Sequence, residues 1–360
     1  MTNARPGASS REHATLAAIN LTKKAAAKQP FLFQMKSFQD YFNTGCERIE
    51  NRKVYSEDCA IGILRPSTLW GNDGDGNFYI SGPGGISRAS SNDPDSFWSS
   101  LIAAKAILFG TKKEIEQCLR HLDDESTSRT SSFLMSTSEN CGDFLAKIRR
   151  LHSSRALILG CGGIGSLAAI NMAGAGVKHL HLIDGDVIEP SNMNRQFFWT
   201  PKDKGRKKVE ILQREIKIRY PETECSASDE FISEDGIKAL AKNFDILLLT
   251  ADEPLGLGAS LAELPNLAVA GGGYFHQYIS FGVNESRLPD TEPIAWQRTP
   301  FFVGPSFGPT NTELAGVLSS FSIQFLAANP EKRSTEAFTS FWNASEFPRN
   351  IALTTKNHDH

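Results

Sequence analysis

Hydrophobic and polar positions change rhythm once along this chain, near residue 150. Before that point the apolar runs are short and mixed. Ala60–Leu64 and Asn77–Ile80 read as strands, and the turn chemistry of Asn72-Asp73-Gly74-Asp75-Gly76 between them predicts a hairpin spanning 60–80. Gly82–Pro94 reads as a loop. Phe97, Leu101, Ala104 and Leu108 then recur at helical spacing. Thr111 with Glu114 three residues on is a capping-box pattern ahead of the stripe Ile115, Cys118, Leu119, Leu122. Asp123–Ser138 is polar and rich in Ser and Thr, which reads as a linker.

From Leu151 onward strands and helices alternate. Ala156–Leu159, His179–Ile183, Phe244–Leu249, Leu267–Ala270 and Tyr278–Phe281 read as strands. Gly165–Ala175 and Lys207–Tyr220 read as helices, the latter closed by Pro221. A continuous apolar run such as Ala156–Leu159 suits a strand buried on both faces, and the alternation predicts an α/β, Rossmann-like, doubly wound sheet. Thr312 is expected to cap a last helix running to Leu326. The resulting division is a tail at 1–29, a small α/β module at 30–123, a linker at 124–150, the main domain at 151–330 and a tail at 331–360.

Composition narrows the setting. The 360 residues carry a net charge of −3, which gives no basic field for nucleic acid. No apolar run reaches the roughly 18 residues that span a bilayer. The first thirty residues are rich in Ala and Lys with one acid, Glu12. A transit peptide has that bias, but a frayed tail is the simpler reading, and these residues hold no apolar signal-peptide core. The six cysteines, at 46, 59, 118, 141, 161 and 225, form no C-x-x-C pair, so neither a structural zinc knuckle nor a thioredoxin-type motif is expected, and a reduced, cytoplasmic protein is.

The chemistry concentrates in the main domain. Gly160, Gly162 and Gly165 satisfy G-x-G-x-x-G between a strand and a helix, with Gly163 inside the run. The first glycine permits a tight turn, the second lets backbone approach phosphate, and the third lets helix pack on strand. The helix N-terminus then offers free N–H groups to an anion. Asp184, nineteen residues on, ends the next strand where a carboxylate would accept ribose hydroxyls. Ser191-Asn192-Met193-Asn194-Arg195-Gln196 follows. A dehydrogenase has no use for that cluster, whereas a triphosphate site has: Arg195 offers a bidentate fork and Asn192 a phosphate or ribose contact. ATP is therefore favoured over NAD. Lys202–Arg219 holds eight Lys or Arg and three Asp or Glu, and most of it reads as a solvated helix face.

These residues carry a resemblance. Gly160–Gly165, Asp184-x-Asp186, Ser191–Gln196 and Gly205-x-x-Lys208 resemble the ThiF/MoeB/E1-like activating-enzyme superfamily over roughly residues 125–330. The resemblance implies a Rossmann-like homodimer that binds ATP and Mg²⁺ and adenylates a carboxylate. It implies Asp184 on the ribose, Asn192 and Arg195 on the phosphates, Lys208 where charge develops, and Asp252, after Thr250-Ala251, on Mg²⁺. Arg129, in Ser128-Arg129-Thr130, stands where relatives lend an arginine across the dimer, although the preceding arginine of their motif is missing. The chain also lacks the zinc cysteines of most relatives and any cysteine beyond Asp252 for a thioester relay.

Those departures, with Thr250–Pro254 and Ala270–Tyr274, resemble the peptide-modifying, microcin C7-type branch. That implies activation of a glutamate side-chain carboxylate, by adenylation or phosphoryl transfer, in a ribosomally made precursor peptide. Cyclisation in antibiotic biosynthesis would follow. Residues 30–123 would be a winged-helix-like module that binds the leader as an added strand, with the 60–80 hairpin as its edge. The alternative is activation of the C-terminal carboxylate of a peptide or of a ubiquitin-like or sulfur-carrier protein. His276, after Gly271-Gly272-Gly273, is a candidate general base, and residues 282–311 resemble the branch's crossover loop.

Overall fold

The computed structural model describes residues 43–44, 47–73, 77–90, 93–251, 267–284, 297–333 and 336–355. The chain divides into two compact units, Met1–Leu145 and Ala146–His360.

The first unit contains two antiparallel sheets. One has the order β1 (Asn43–Thr44), β2 (Glu47–Glu50), β3 (Lys53–Ser56), β4 (Cys59–Leu64) and β8 (Ile107–Phe109). The other is β5 (Leu69–Asn72), β6 (Asn77–Gly82) and β7 (Gly85–Ser90). Helix α1 (Pro94–Ala103) contributes Phe97, Trp98 and Leu101 to a core shared with Ile49, Val54, Phe78, Ile80 and Ile107.

Three expectations change here. The strands near 60–64 and 77–80 both exist, but they do not pair with each other. β4 pairs with β3 and β8, and β6 pairs with β5 and β7. The hairpin partner of β6 is Leu69–Asn72, whose Trp-Gly-Asn sequence carries no alternation. Asp73 closes that hairpin by accepting from the Asn77 backbone N–H at 3.2 Å and side-chain amide at 2.8 Å. β4 ends in a tight turn at Pro66-Ser67, closed by the Thr68 N–H donating to the Arg65 carbonyl at 3.0 Å, and the buried Arg65 guanidinium donates to the carbonyls of Met135 and Ser138. Gly85–Ser90, read as loop, is a strand. The stretch read as a linker contains helix α3 (Ser128–Ser136) and the start of α4 (Cys141–Ser153). The Thr111–Glu114 capping box opens α2 (Lys112–Asp123) as expected.

The second unit is an eight-stranded sheet. Five strands are parallel, in the order β11 (Glu224–Ser228), β10 (His179–Ile183), β9 (Arg155–Leu159), β12 (Ile246–Leu249) and β13 (Ala268–Phe275). Three antiparallel strands extend it: β14 (Tyr278–Val283), β15 (Phe338–Asn343) and β16 (Ala352–Thr355). Helices α5 (Gly165–Gly174), α6 (Lys208–Arg219), α7 (Glu234–Ala241) and α8 (Gly308–Ala327) complete it. Ala156–Leu159 and Ile246–Leu249 are buried throughout, as strands covered on both faces must be.

The segment read as a C-terminal tail supplies β15 and β16. It is fastened by Glu313 of α8, which accepts from Trp342 Nε1 at 2.9 Å and takes both ends of the Arg349 guanidinium at 3.0 Å. The last helix starts at Gly308 and not at Thr312, whose hydroxyl donates to the Gly308 carbonyl one turn back. The strand order reverses beside β9, so the carboxyl ends of β9, β10 and β12 flank the crevice where open sheets of this kind bind ligands.

Candidate nucleotide site

The site starts where β9 ends. Gly160 takes φ +90°, a conformation that suits glycine, and its N–H donates to the Ile183 carbonyl at 2.9 Å. A Cβ here would lie 2.5 Å from the Ala251 nitrogen. Thr250 fixes the same turn from β12, donating its hydroxyl to the Gly160 carbonyl at 2.6 Å. Gly165 opens α5 at a still closer approach: a Cβ would fall 1.8 Å from the Gly160 oxygen and 2.4 Å from Thr250 Oγ1. Gly162 is different, since its Cβ would meet only Gln196 Nε2, at 3.5 Å. The first turn of α5 has no side-chain cap; its Ser166 N–H donates to the Gly162 carbonyl at 3.2 Å, and the helix end still turns its positive dipole toward an anion.

Asp184 continues from β10. Its two oxygens accept the backbone N–H groups of Cys161 at 2.6 Å and Asp186 at 2.8 Å. Burial raises its carboxyl pKa above the usual aspartate range, and the charge of Asp186 adds to that. Lys208 and the two N–H donors act in the opposite direction. Lys208 is the first residue of α6, 6% exposed, and its ammonium donates to Asp186 at 2.7 Å. The backbone holds the pair in register: the Lys208 N–H donates to the Asp186 carbonyl at 3.2 Å. A buried cation thus lies between two carboxylates beside the glycine loop.

The Ser191–Gln196 cluster divides. Asn192 is buried, and its carboxamide oxygen accepts the Glu189 N–H at 3.0 Å, which shapes the turn. Arg195 folds back on that turn, donating to the Ser191 carbonyl and to Asn194 Oδ1. The Arg195 carbonyl lies 3.2 Å from where a Gly163 Cβ would sit. Gln196 is 5% exposed with Oε1 lacking a hydrogen-bond partner.

Sequence reading missed Asn311. It is 1% exposed in the first turn of α8, its amide nitrogen lies 2.2 Å from a Gly163 Cβ position, and its Oδ1 has no hydrogen-bond partner. It belongs to no motif, and placing the helix start at Thr312 left it in a loop. Gln196 and Asn311 set their amide nitrogens against the consecutive glycines Gly162 and Gly163, and each has a buried side-chain oxygen without a partner, which suits a site that receives a polar ligand.

The comparisons with known proteins agree with this geometry. A family model for the ThiF family matches residues 140–257. Residues 140–257 are a ThiF family domain. Among curated relatives, the adenylyltransferase and sulfurtransferase uba4 of Aspergillus niger is 35% identical over 105 residues, which is 29% of this chain and 22% of that protein. The Escherichia coli sulfur carrier protein ThiS adenylyltransferase is 33% identical over 104 residues, 29% of this chain and 41% of that protein. The chain therefore spans about a fifth to two fifths of these relatives. Among solved structures, E. coli MccB with ATP has TM-score 0.58 at 20% identity, covering 82% of this chain and 96% of that one. PaaA has TM-score 0.55 at 19% identity, covering 81% and 99%. The fold is thus the mixed α/β architecture of these E1-like proteins.

Asp252 lies outside the described residues; the chain is at the glycine loop at Ala251, one residue before it. His276 is exposed at φ +51° in the turn between β13 and β14, with its ring 4.3 Å from that of Phe275. That is the conformation a tight hairpin demands. Arg129 is exposed in the first turn of α3. Residues 30–42 and 285–296, which hold part of the expected leader module and of the crossover loop, are outside the described residues. Among the described residues no three His, Cys, Asp or Glu side chains gather as a metal site. No helix there is long and apolar enough to cross a membrane.

Proposed function

We propose that this chain is an ATP- and Mg²⁺-dependent enzyme that activates a glutamate side-chain carboxylate in a ribosomal precursor peptide, leading to cyclisation. The observation that carries the reading is the buried Lys208 beside Asp184, Asp186 and the open glycine loop. In this reading Asp184 takes the ribose hydroxyls, and the glycine loop with the N-terminal end of α5 holds the phosphates. Attack by a carboxylate on phosphorus spreads negative charge over phosphate oxygens, and Lys208 leaves Asp186 to meet that charge. Arg195 swings from its own turn to do the same. Magnesium bound with the triphosphate would supply further charge neutralisation, with Asp252 to hold it. One protein carboxylate suffices for such an ion, because phosphates and waters fill the rest of its shell. A homodimer, with Arg129 crossing between protomers, and a leader-binding role for the N-terminal module belong to the same proposal.

Cys225 supports an enzyme whose substrate supplies its own nucleophile. It is buried in β11, its thiol is pushed up to about 12 by desolvation, and no cysteine follows it in the sequence. A second reading is activation of a carrier protein's C-terminal carboxylate, favoured by relatives such as the ThiS adenylyltransferase. Nucleotide products separate the possibilities. The chain, Mg²⁺, ATP and a candidate glutamate-bearing peptide should yield AMP with pyrophosphate, or ADP with phosphate, only when the peptide is present. Turnover with a carrier ending in Gly-Gly and none with any peptide would favour the second reading. Turnover with neither would sink both.

A further inference from the structure

One aromatic side chain beside the ribose carboxylate belongs to no motif. Phe231 is 81% exposed, in the connection between β11 and α7. Single exposed apolar residues are ordinary on protein surfaces, so exposure alone carries nothing. The placement is what matters. The Phe231 ring lies over Gly185, with Cδ2 and Cε2 2.7 Å and Cγ 2.9 Å from where a Gly185 Cβ would sit. Gly185 directly follows Asp184. The ring can take that position only because residue 185 has no side chain.

The connection is fastened on both sides of the ring. Lys207 pairs with Asp229 at 2.6 Å and donates to the Gly185 carbonyl at 3.2 Å, tying one end to the Asp184–Asp186 turn. At the other end Ile232 packs on the core formed by Leu159, Ile183 and Ile237, and Ser233 caps α7. Phe231 is therefore held outward by its neighbours on both sides. It lies at the carboxyl end of the parallel sheet, beside the residue that would hold a ribose.

We propose that Phe231 is the platform on which the adenine base of ATP stacks, an inference that rests on the ATP reading above. The base is joined to the ribose, so a ribose held by Asp184 brings it within one sugar's width of Gly185. An aromatic face offered edge-free to solvent suits a flat heterocycle, and such stacking contributes about 1–3 kcal/mol by alanine substitution. The contact involves no reacting atom, so it sets affinity and not the chemical step.

Calorimetric titration of the full chain with Mg·ATP and, separately, with Mg·tripolyphosphate tests this. Phe231→Ala should raise the ATP dissociation constant roughly 5- to 150-fold and leave tripolyphosphate binding unchanged, while Phe231→Tyr restores ATP affinity. Gly185→Ala should displace the ring and weaken ATP binding in the native chain, yet add nothing in the Phe231→Ala background. Phe231→Trp adds an optical readout, with emission quenched by ATP and not by tripolyphosphate. Unchanged ATP affinity in Phe231→Ala, or equal loss of ATP and tripolyphosphate, overturns the platform while the ATP reading stands. Absence of ATP binding to the native chain overturns that reading, and the platform with it.

Discussion

Alanine substitutions at Gly162 and Gly165 should separate stability from nucleotide binding within a single loop. At Gly165 the added Cβ would lie 1.8 Å from the Gly160 carbonyl oxygen and 2.4 Å from Thr250 Oγ1. Backbone must therefore shift by more than an ångström, against a turn already pinned by Ile183 and Thr250. Overpacking of this kind costs about 1–3 kcal/mol, and a rigid backbone oxygen puts it at the upper end. At Gly162 the same atom meets only Gln196 Nε2 at 3.5 Å, an ordinary contact, and the residue is not among those at positive φ. Gly162→Ala should leave the free protein as stable as before, or about 0.4–1 kcal/mol more stable through its less flexible unfolded chain. Its methyl would occupy the surface that phosphate oxygens approach, so ATP affinity should fall by about 1–3 kcal/mol, or roughly 5- to 150-fold. Thermal unfolding with and without Mg·ATP reads both quantities. The expected pattern is a lowered melting temperature for Gly165→Ala. For Gly162→Ala it is a normal one that ATP no longer raises. A Gly162→Ala protein stabilised by ATP as fully as the native chain would refute the phosphate cradle. A Gly165→Ala protein melting with the native chain would refute the packing argument.

Lys208→Met should lower peptide-dependent ATP turnover by about 10²–10³-fold, as loss of one preorganised charge donor does. It should also cost about 1–3 kcal/mol, because it strips the cation from two carboxylates, and equilibrium denaturation checks this. Asp184 makes the ligand-free chain pH-sensitive. Its pKa is raised by burial, so the stability linked to its neutral form is full at acid pH and is lost as pH rises through the folded pKa. Melting temperatures of Asp184→Asn minus native should therefore grow from acid to neutral pH, and a flat difference would contradict the assignment. Cys225→Ala should leave turnover intact, because the thiol is buried and its pKa is pushed up to about 12. A loss of turnover, with a thiol-labile acyl adduct on the native protein, would revive a thioester relay.

The parallel core was legible because strands buried on both faces are written as continuous apolar runs, as in Ala156–Leu159 and Ile246–Leu249. Helix starts were legible where a side chain marks them, as Thr111 and Glu114 do. They were illegible where it does not: α8 begins at Gly308 with no side-chain cap, and Thr312 imitates one. Antiparallel pairing in the first unit escaped because Leu69–Asn72 and Gly85–Ser90, the hairpin neighbours of β6, carry weak local preferences, and because β4 pairs with β8, which is distant in sequence. The site followed the same division. Gly160, Gly165 and Asp184 come together where the strand and helix patterning puts them, and Lys208, which only the resemblance singled out, joins them, because each follows a strand or begins a helix at the carboxyl end of the sheet. Asn311 and Phe231 could not be read, since only the folded chain brings them to Gly163 and Gly185.

Transfer of oxygen tests carboxylate activation most directly. A candidate precursor peptide carrying heavy oxygen in its glutamate side chain is incubated with the chain, Mg²⁺ and ATP, and the nucleotide and phosphate products are weighed. Activation followed by ring closure predicts one heavy oxygen in AMP, or in inorganic phosphate if phosphoryl transfer is used, with loss of water from the peptide. ATP consumption with no label in either product would contradict the account.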